Sequence, residues 1–288
     1  MDDLEVPVVE LFDEPSPRPS RRGRIGLVFA VVACAAALAV AASVVTDNGG
    51  HATPTHRRDP RAEIVAAVDA TAGTGSFDMQ FRTSETTTAT HDAPALMSPI
   101  SGSGSMTLNP HVMVATATVG GVGTVTTYVS STSVWEVGGA NYGTTGTTAG
   151  AGAPLSEFGD VVEGTIGPRA AGIAMMSLAG PTGYFNLSDA AITNVTKLSA
   201  DEYEVTMDAG RLVDRPGMTD QEFVTALAGY NLLKEQGYVN TVVRVTLDHG
   251  FVARTQSAAR FGDGGSVESD VTYSNFGRVA PIQLPGGS

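Results

Sequence analysis

The chain has 288 residues and a formal net charge of −13. So acidic a surface argues against nucleic acid as a partner and against charge-driven binding to anionic headgroups. The single cysteine, Cys34, lies in an apolar run, so the rest of the chain has no disulfide, thiol nucleophile or cysteine metal site.

Residues 1–24 are acidic and then rich in Pro, Ser and Arg, which predicts a disordered tail. Val6, Val8, Val9, Leu11 and Phe12 would let it act as a docking peptide. Residues 25–45 carry no charge and are long enough to cross the ~30 Å hydrocarbon core of a bilayer as one helix. Arg18, Arg21, Arg22 and Arg24 precede this run, and the next basic residues are Arg57 and Arg58. Positive charge is retained on the cytoplasmic side, so the tail is expected inside and the main domain outside, as a single-pass protein of the cell membrane. Two rivals stand beside the uncleaved anchor. One is a cleaved signal, for which the run is long and the tail too acidic. The other is an acylated lipoprotein, for which Val31-Val32-Ala33-Cys34 loosely fits the lipobox, although the apolar run continues past Cys34. Residues 46–58 form a polar linker, and 59–288 the extracytoplasmic domain.

Asp59-Pro60 predicts a helix start, with Ile64, Val65, Val68 and Ala72 on one face and Gly73 as the stop. From Ser76 the period becomes two: Phe77, Met79 and Phe81 alternate with Asp78, Gln80 and Arg82, the mark of a half-buried strand. Short strands follow over 103–108, 111–119, 124–129 and 134–137, separated by Asn109-Pro110 and Gly120-Gly121; they predict an antiparallel meander. Residues 140–153 are Gly/Thr/Ala-rich and weakly structured, and 170–179 predict a short helix. Strands are expected at 192–198 and 203–208. Thr219 caps an amphipathic helix over 220–236, with Phe223, Leu227, Tyr230 and Lys234 at helical spacing, Leu232 and Leu233 widening the face and Gly237 ending it. A second meander covers 241–247, 251–261 and 266–276. The fold expected is one α+β domain: a strongly curved antiparallel sheet, a half-barrel covered by helices on its concave side, preceded by one transmembrane helix.

No residue pattern points to catalysis. His51, His56, His91, His111 and His249 lack metal-ligand spacing, and Gly102-Ser103-Gly104-Ser105 precedes a strand rather than forming a nucleophile elbow. Gly120-Gly121-Val122-Gly123 is followed by neither Lys-Ser/Thr nor a helix, so it is no phosphate loop. An enzyme is not expected, nor a cofactor or metal. What remains is apolar. Phe77, Met79, Phe81, Met106, Leu108, Met113, Trp135, Met176, Phe223, Leu227 and Tyr230 are the candidates to line a lipid-sized cavity, methionine being adaptable to flexible apolar ligands.

Three segments in order carry a family resemblance: Gly102-Ser103-Gly104-Ser105-Met106-Thr107-Leu108-Asn109-Pro110 after the first helix–strand unit, Tyr203-Glu204-Val205-Thr206-Met207-Asp208 before a helix, and Val271-Thr272-Tyr273-Ser274-Asn275-Phe276-Gly277 at the close. Over residues 60–285 the chain resembles the mycobacterial LppX/LprG lipoproteins, relatives in fold of the LolA and LolB carriers. The resemblance implies a half-barrel around a lipid-sized cavity and passive carriage or presentation of acylated lipid, or of another hydrophobic ligand, in the cell envelope, without enzymatic activity. The alternative is a sensor ectodomain resembling RseB, which binds an envelope protein partner. Members of the LppX/LprG family usually have a cleaved signal and a lipobox cysteine, where this chain has a longer apolar run and an acidic tail.

Overall fold

A computed structural model describes residues 59–86, 99–119, 123–130, 133–138, 153–154, 169–170, 172–173, 176, 189–213 and 220–285. The expected tail, transmembrane run and linker, and the Thr219 cap, lie outside the described residues. No helix among the described residues is long and apolar enough to cross a membrane.

Helix α1 (Pro60–Gly73) opens as its sequence predicts, with Pro60 in the first turn and the Asp59 carboxylate accepting from the Arg61 amide at 3.1 Å. Its buried stripe is Ile64, Ala67, Val68 and Thr71, rotated slightly from the expected one; Val65 and Ala72 are half-buried. Beyond it the chain reverses through Gly75, whose φ of +76° suits glycine. Strand β1 (Ser76–Thr86) follows, then β2 (Ile100–Leu108), β3 (His111–Val119), β4 (Gly123–Ser130), β5 (Ser133–Gly138) and the short β6 (Ala153–Pro154). Helical positions at 169–170, 172–173 and 176 precede β7 (Ile192–Lys197) and β8 (Glu202–Met207). Helix α2 (Gly210–Val213) and helix α3 (Asp220–Glu235) lead into β9 (Tyr238–Asp248), β10 (Phe251–Phe261) and β11 (Ser266–Ser274).

The strands form one 11-stranded sheet in the order β6-β5-β4-β3-β2-β1-β11-β10-β9-β8-β7. Every described pairing is antiparallel, and β6 and β7 are the outer strands, so the sheet is open. Two meanders, β2–β6 and β7–β11, are thus joined by β1, which pairs with β2 on one side and β11 on the other. The β9–β10 hairpin turns through His249 and Gly250, both at positive φ (51° and 84°), as the right-handed twist of a two-residue hairpin favours.

One face of the sheet is apolar and buried against the helices. Ile64 and Val68 of α1, Ile173 and Met176, Leu212 and Val213 of α2 and Ala226 and Leu233 of α3 share a single core with the inward residues of the strands. Polar contacts seat the helices on it. The Glu63 carboxylate of α1 accepts from Lys197 Nζ at 2.6 Å and from the Tyr203 hydroxyl. Arg61 Nε reaches Asp189 at 2.5 Å. Arg169, buried, pairs with Asp263 in the β10–β11 turn and lies over the Phe261 ring at 4.3 Å.

Thr71 joins α1 to β10 from within the core. Its hydroxyl donates to the Ala67 carbonyl at 2.7 Å and accepts from the Val252 amide at 2.9 Å, next to the bulge between Val252 and Arg254. Replacing Thr71 by Val keeps the shape and leaves that amide without its partner. The expected loss is about 1–3 kcal/mol, read as a lowered urea midpoint with an unchanged slope.

Candidate functional site

The apolar face can be followed strand by strand, because residues opposite one another in an antiparallel pair point the same way. One row runs Val125–Ala117–Gly102–Phe81–Val271–Thr255–Val245–Tyr203 across eight strands. A second runs Thr127–Ala115–Gly104–Met79–Tyr273, and a third joins Val129, Met113, Met106 and Phe77.

The two sides of β1 differ. Toward β8 the face is filled by Val205, Val243, Val245, Val271, Tyr203 and Met207, all buried. Toward β4 it is floored by Gly102, Gly104, Ala115 and Ala117, with Met106 and Met113 at one end and Ile100 and Val125 at the other. Backbone proximity explains the glycines. A Cβ on Gly102 would press on the Thr116 carbonyl and lie 2.7 Å from the Phe81 ring; one on Gly104 would lie 2.6 Å from the Val114 carbonyl. The β1 aromatic thus covers bare backbone, and the strip beside it carries the least side-chain volume of the described apolar face.

Of the predicted lining residues, Phe77, Met79, Phe81, Met106, Met113 and Met176 are buried in this one core, and Leu108 packs against it half-buried. Tyr230 is half-buried, its hydroxyl close to Gly210 of α2. Three candidates lie elsewhere. Phe223 and Leu227 are exposed, at 42% and 37%. The stripe of α3 that turns inward is Ala226, Gly229 and Leu233, because Gly172 comes up against Gly229 and Leu233 and only small residues allow that approach. Trp135 is buried, yet its register partner is Tyr128, one residue off the inward Val129, which places it on the opposite face and outside the core cluster. The strip residues Gly102, Gly104, Ala115 and Ala117 were not among the sequence candidates; their signal is the alternation of small residues, Gly-x-Gly in β2 and Ala-x-Ala in β3.

The other face is polar. A groove of about 450 Å³ crosses it between β1 and β8, with Ala258 and Val242 lying between a charged row, Arg82–Asp270–Gln256–Arg244–Glu204, and Arg260. Arg254 Nη2 meets Asp270 Oδ2 at 2.5 Å, and that bond holds the Asp270 carboxyl below the usual carboxylate range. No group of three or more metal-ligating side chains occurs among the described residues.

No family model matches the chain, and no curated protein matches it. Among solved structures, that of the lipoprotein LppX from Mycobacterium tuberculosis is similar at 14% identity and a TM-score of 0.38, over 78% of this chain and 98% of LppX.

Where β9 begins beside α2, the Tyr238 hydroxyl accepts from the Ala209 amide at 3.3 Å and bonds Thr241 Oγ1 at 3.0 Å. Burial pushes its pKa up to about 12. The folded state therefore holds this proton more tightly than the unfolded chain. The stability it contributes is complete below pH ~10 and is lost as the pH rises toward 12. Tyr238→Phe is expected to remove that portion of the alkaline loss, seen as a flatter dependence of the thermal midpoint on pH across this window.

Proposed function

We propose that this protein binds an apolar ligand with an acyl chain along the Gly/Ala-floored strip of its inner sheet face, and that it acts as a carrier or presenter of that ligand rather than as an enzyme. The observation that carries the reading is the asymmetry of the apolar face. Bulky residues fill one half, whereas the other half carries only the small residues Gly102, Gly104, Ala115 and Ala117 between Met106–Met113 and Ile100–Val125, with both alanines buried. A chain laid there is shielded from water at about 0.8 kcal/mol per buried CH₂, so ~16 carbons gain roughly 12 kcal/mol gross. Lost freedom of ligand and protein offsets several kcal/mol of this, which keeps release to a membrane within reach. Flexible methionines at the strip's end adapt to chains of different shape. In this reading the sheet is curved as a half-barrel around the ligand, residues 25–45 tether the domain in the cell membrane, and the domain works on the extracytoplasmic side.

Organic extraction of the gently purified protein, followed by denaturing mass spectrometry, is expected to yield a stoichiometric acyl lipid. Ala115→Leu, which fills the strip, is expected to abolish that lipid at a cost of about 1–3 kcal/mol in stability. A wild-type protein that stays free of lipid after incubation with membrane lipids overturns the reading.

A further inference from the structure

The strip contains one polar atom with nothing to bond. Thr127 is 0% exposed, and its Oγ1 has no hydrogen-bond partner. It sits on β4 opposite Ala115, between the buried Val125 and Val129. Other threonines on the sheet find partners: Thr116 bonds Thr126 at 2.9 Å, and Thr255 bonds the Tyr273 hydroxyl at 3.2 Å. A buried hydroxyl without a partner forfeits its hydration and gains nothing in return, so a valine of the same shape would serve packing better. A ligand that brings an acceptor to this point reverses that balance.

We infer that the Thr127 hydroxyl donates to a carbonyl oxygen of the bound ligand, and that the site therefore selects acyl esters over plain hydrocarbons of equal length. This rests on the apolar-ligand reading and assigns the head end of the chain. The carbonyl lies at Thr127, and the methylenes continue over Ala115 and Gly104 toward Met79, the residues of the same cross-strand row. A hydrocarbon placed there would leave the hydroxyl as unsatisfied as before, whereas an ester would bond it. That difference between ligands is what makes one hydroxyl a specificity determinant.

The test uses the full chain, incubated with an equimolar mixture of methyl palmitate and heptadecane and released from micelles for native mass spectrometry. The wild type is expected to hold the ester over the hydrocarbon by about tenfold, the net worth of one hydrogen bond. Thr127→Val is expected to bring that ratio near unity, with an unliganded unfolding midpoint equal to or above that of the wild type. Thr127→Ser, which keeps the hydroxyl, is expected to retain the preference. Equal binding of both probes by the wild type, or a preference that survives in Thr127→Val, overturns this inference and leaves the apolar-ligand reading standing. A lowered unliganded midpoint in Thr127→Val also overturns it, since it would reveal a partner within the protein. Binding of neither probe sinks the two together.

Discussion

The pairing of β1 with β11 is the constraint on which the rest of this structure depends. It joins residues far apart in the chain; Thr83 and Ser269 face each other across it, 186 positions apart. Each flanking meander is built of neighbours in sequence, but neither has a complete apolar face alone. Only when β1 is held from both edges do Phe77, Met79 and Phe81 become the middle of a continuous surface. A slip of one residue in either pairing would turn all three toward water, and the penalty for exposing such side chains fixes the register.

From that seam the two halves diverge in character. The β8–β11 half is a close-packed core in which valines, Tyr203 and Met207 meet α1, and the polar bonds of Glu63 and Thr71 fix where that helix sits. The β2–β4 half brings its strands so near that β2 carries glycine at alternate positions. Small residues and the orphan hydroxyl of Thr127 lie together on that strip.

Much of the architecture was legible in the sequence because its signals are local. The period-two run from Phe77 to Phe81, the Asp59-Pro60 helix start and the turn at His249-Gly250 each announce themselves within a few residues, and the strand boundaries of both meanders fall close to those expected. The misplacements came from properties set by partners. In α3, Phe223, Leu227 and Tyr230 have helical spacing, but Ala226, Gly229 and Leu233 have it too, and the approach of Gly172 decides between the two stripes. Trp135 belongs to a strand whose parity is set by the register of β4, which no count along β5 reveals. The strip escaped notice because glycine and alanine carry no hydrophobic pattern strong enough to mark the inward face of a strand. The orphan state of Thr127 is a fact about its surroundings alone.

The central position of β1 also sets the order in which the molecule can assemble. Of the described strands β1 is made first and β11 last, so on a ribosome the seam stays open until nearly all of the described chain has emerged. Closing a loop of this length costs roughly 5 kcal/mol of chain entropy, a toll that the local hairpins on either side do not meet. Contacts of such separation form slowly. Until they do, β1 and β11 each present an unpaired edge, and β1 displays Phe77, Met79 and Phe81 beside it. The nascent protein thus passes through a stage in which two half-sheets with sticky inner edges await each other. That stage leaves the chain vulnerable to pairing with a neighbouring copy, and it ends only when β11 closes on β1.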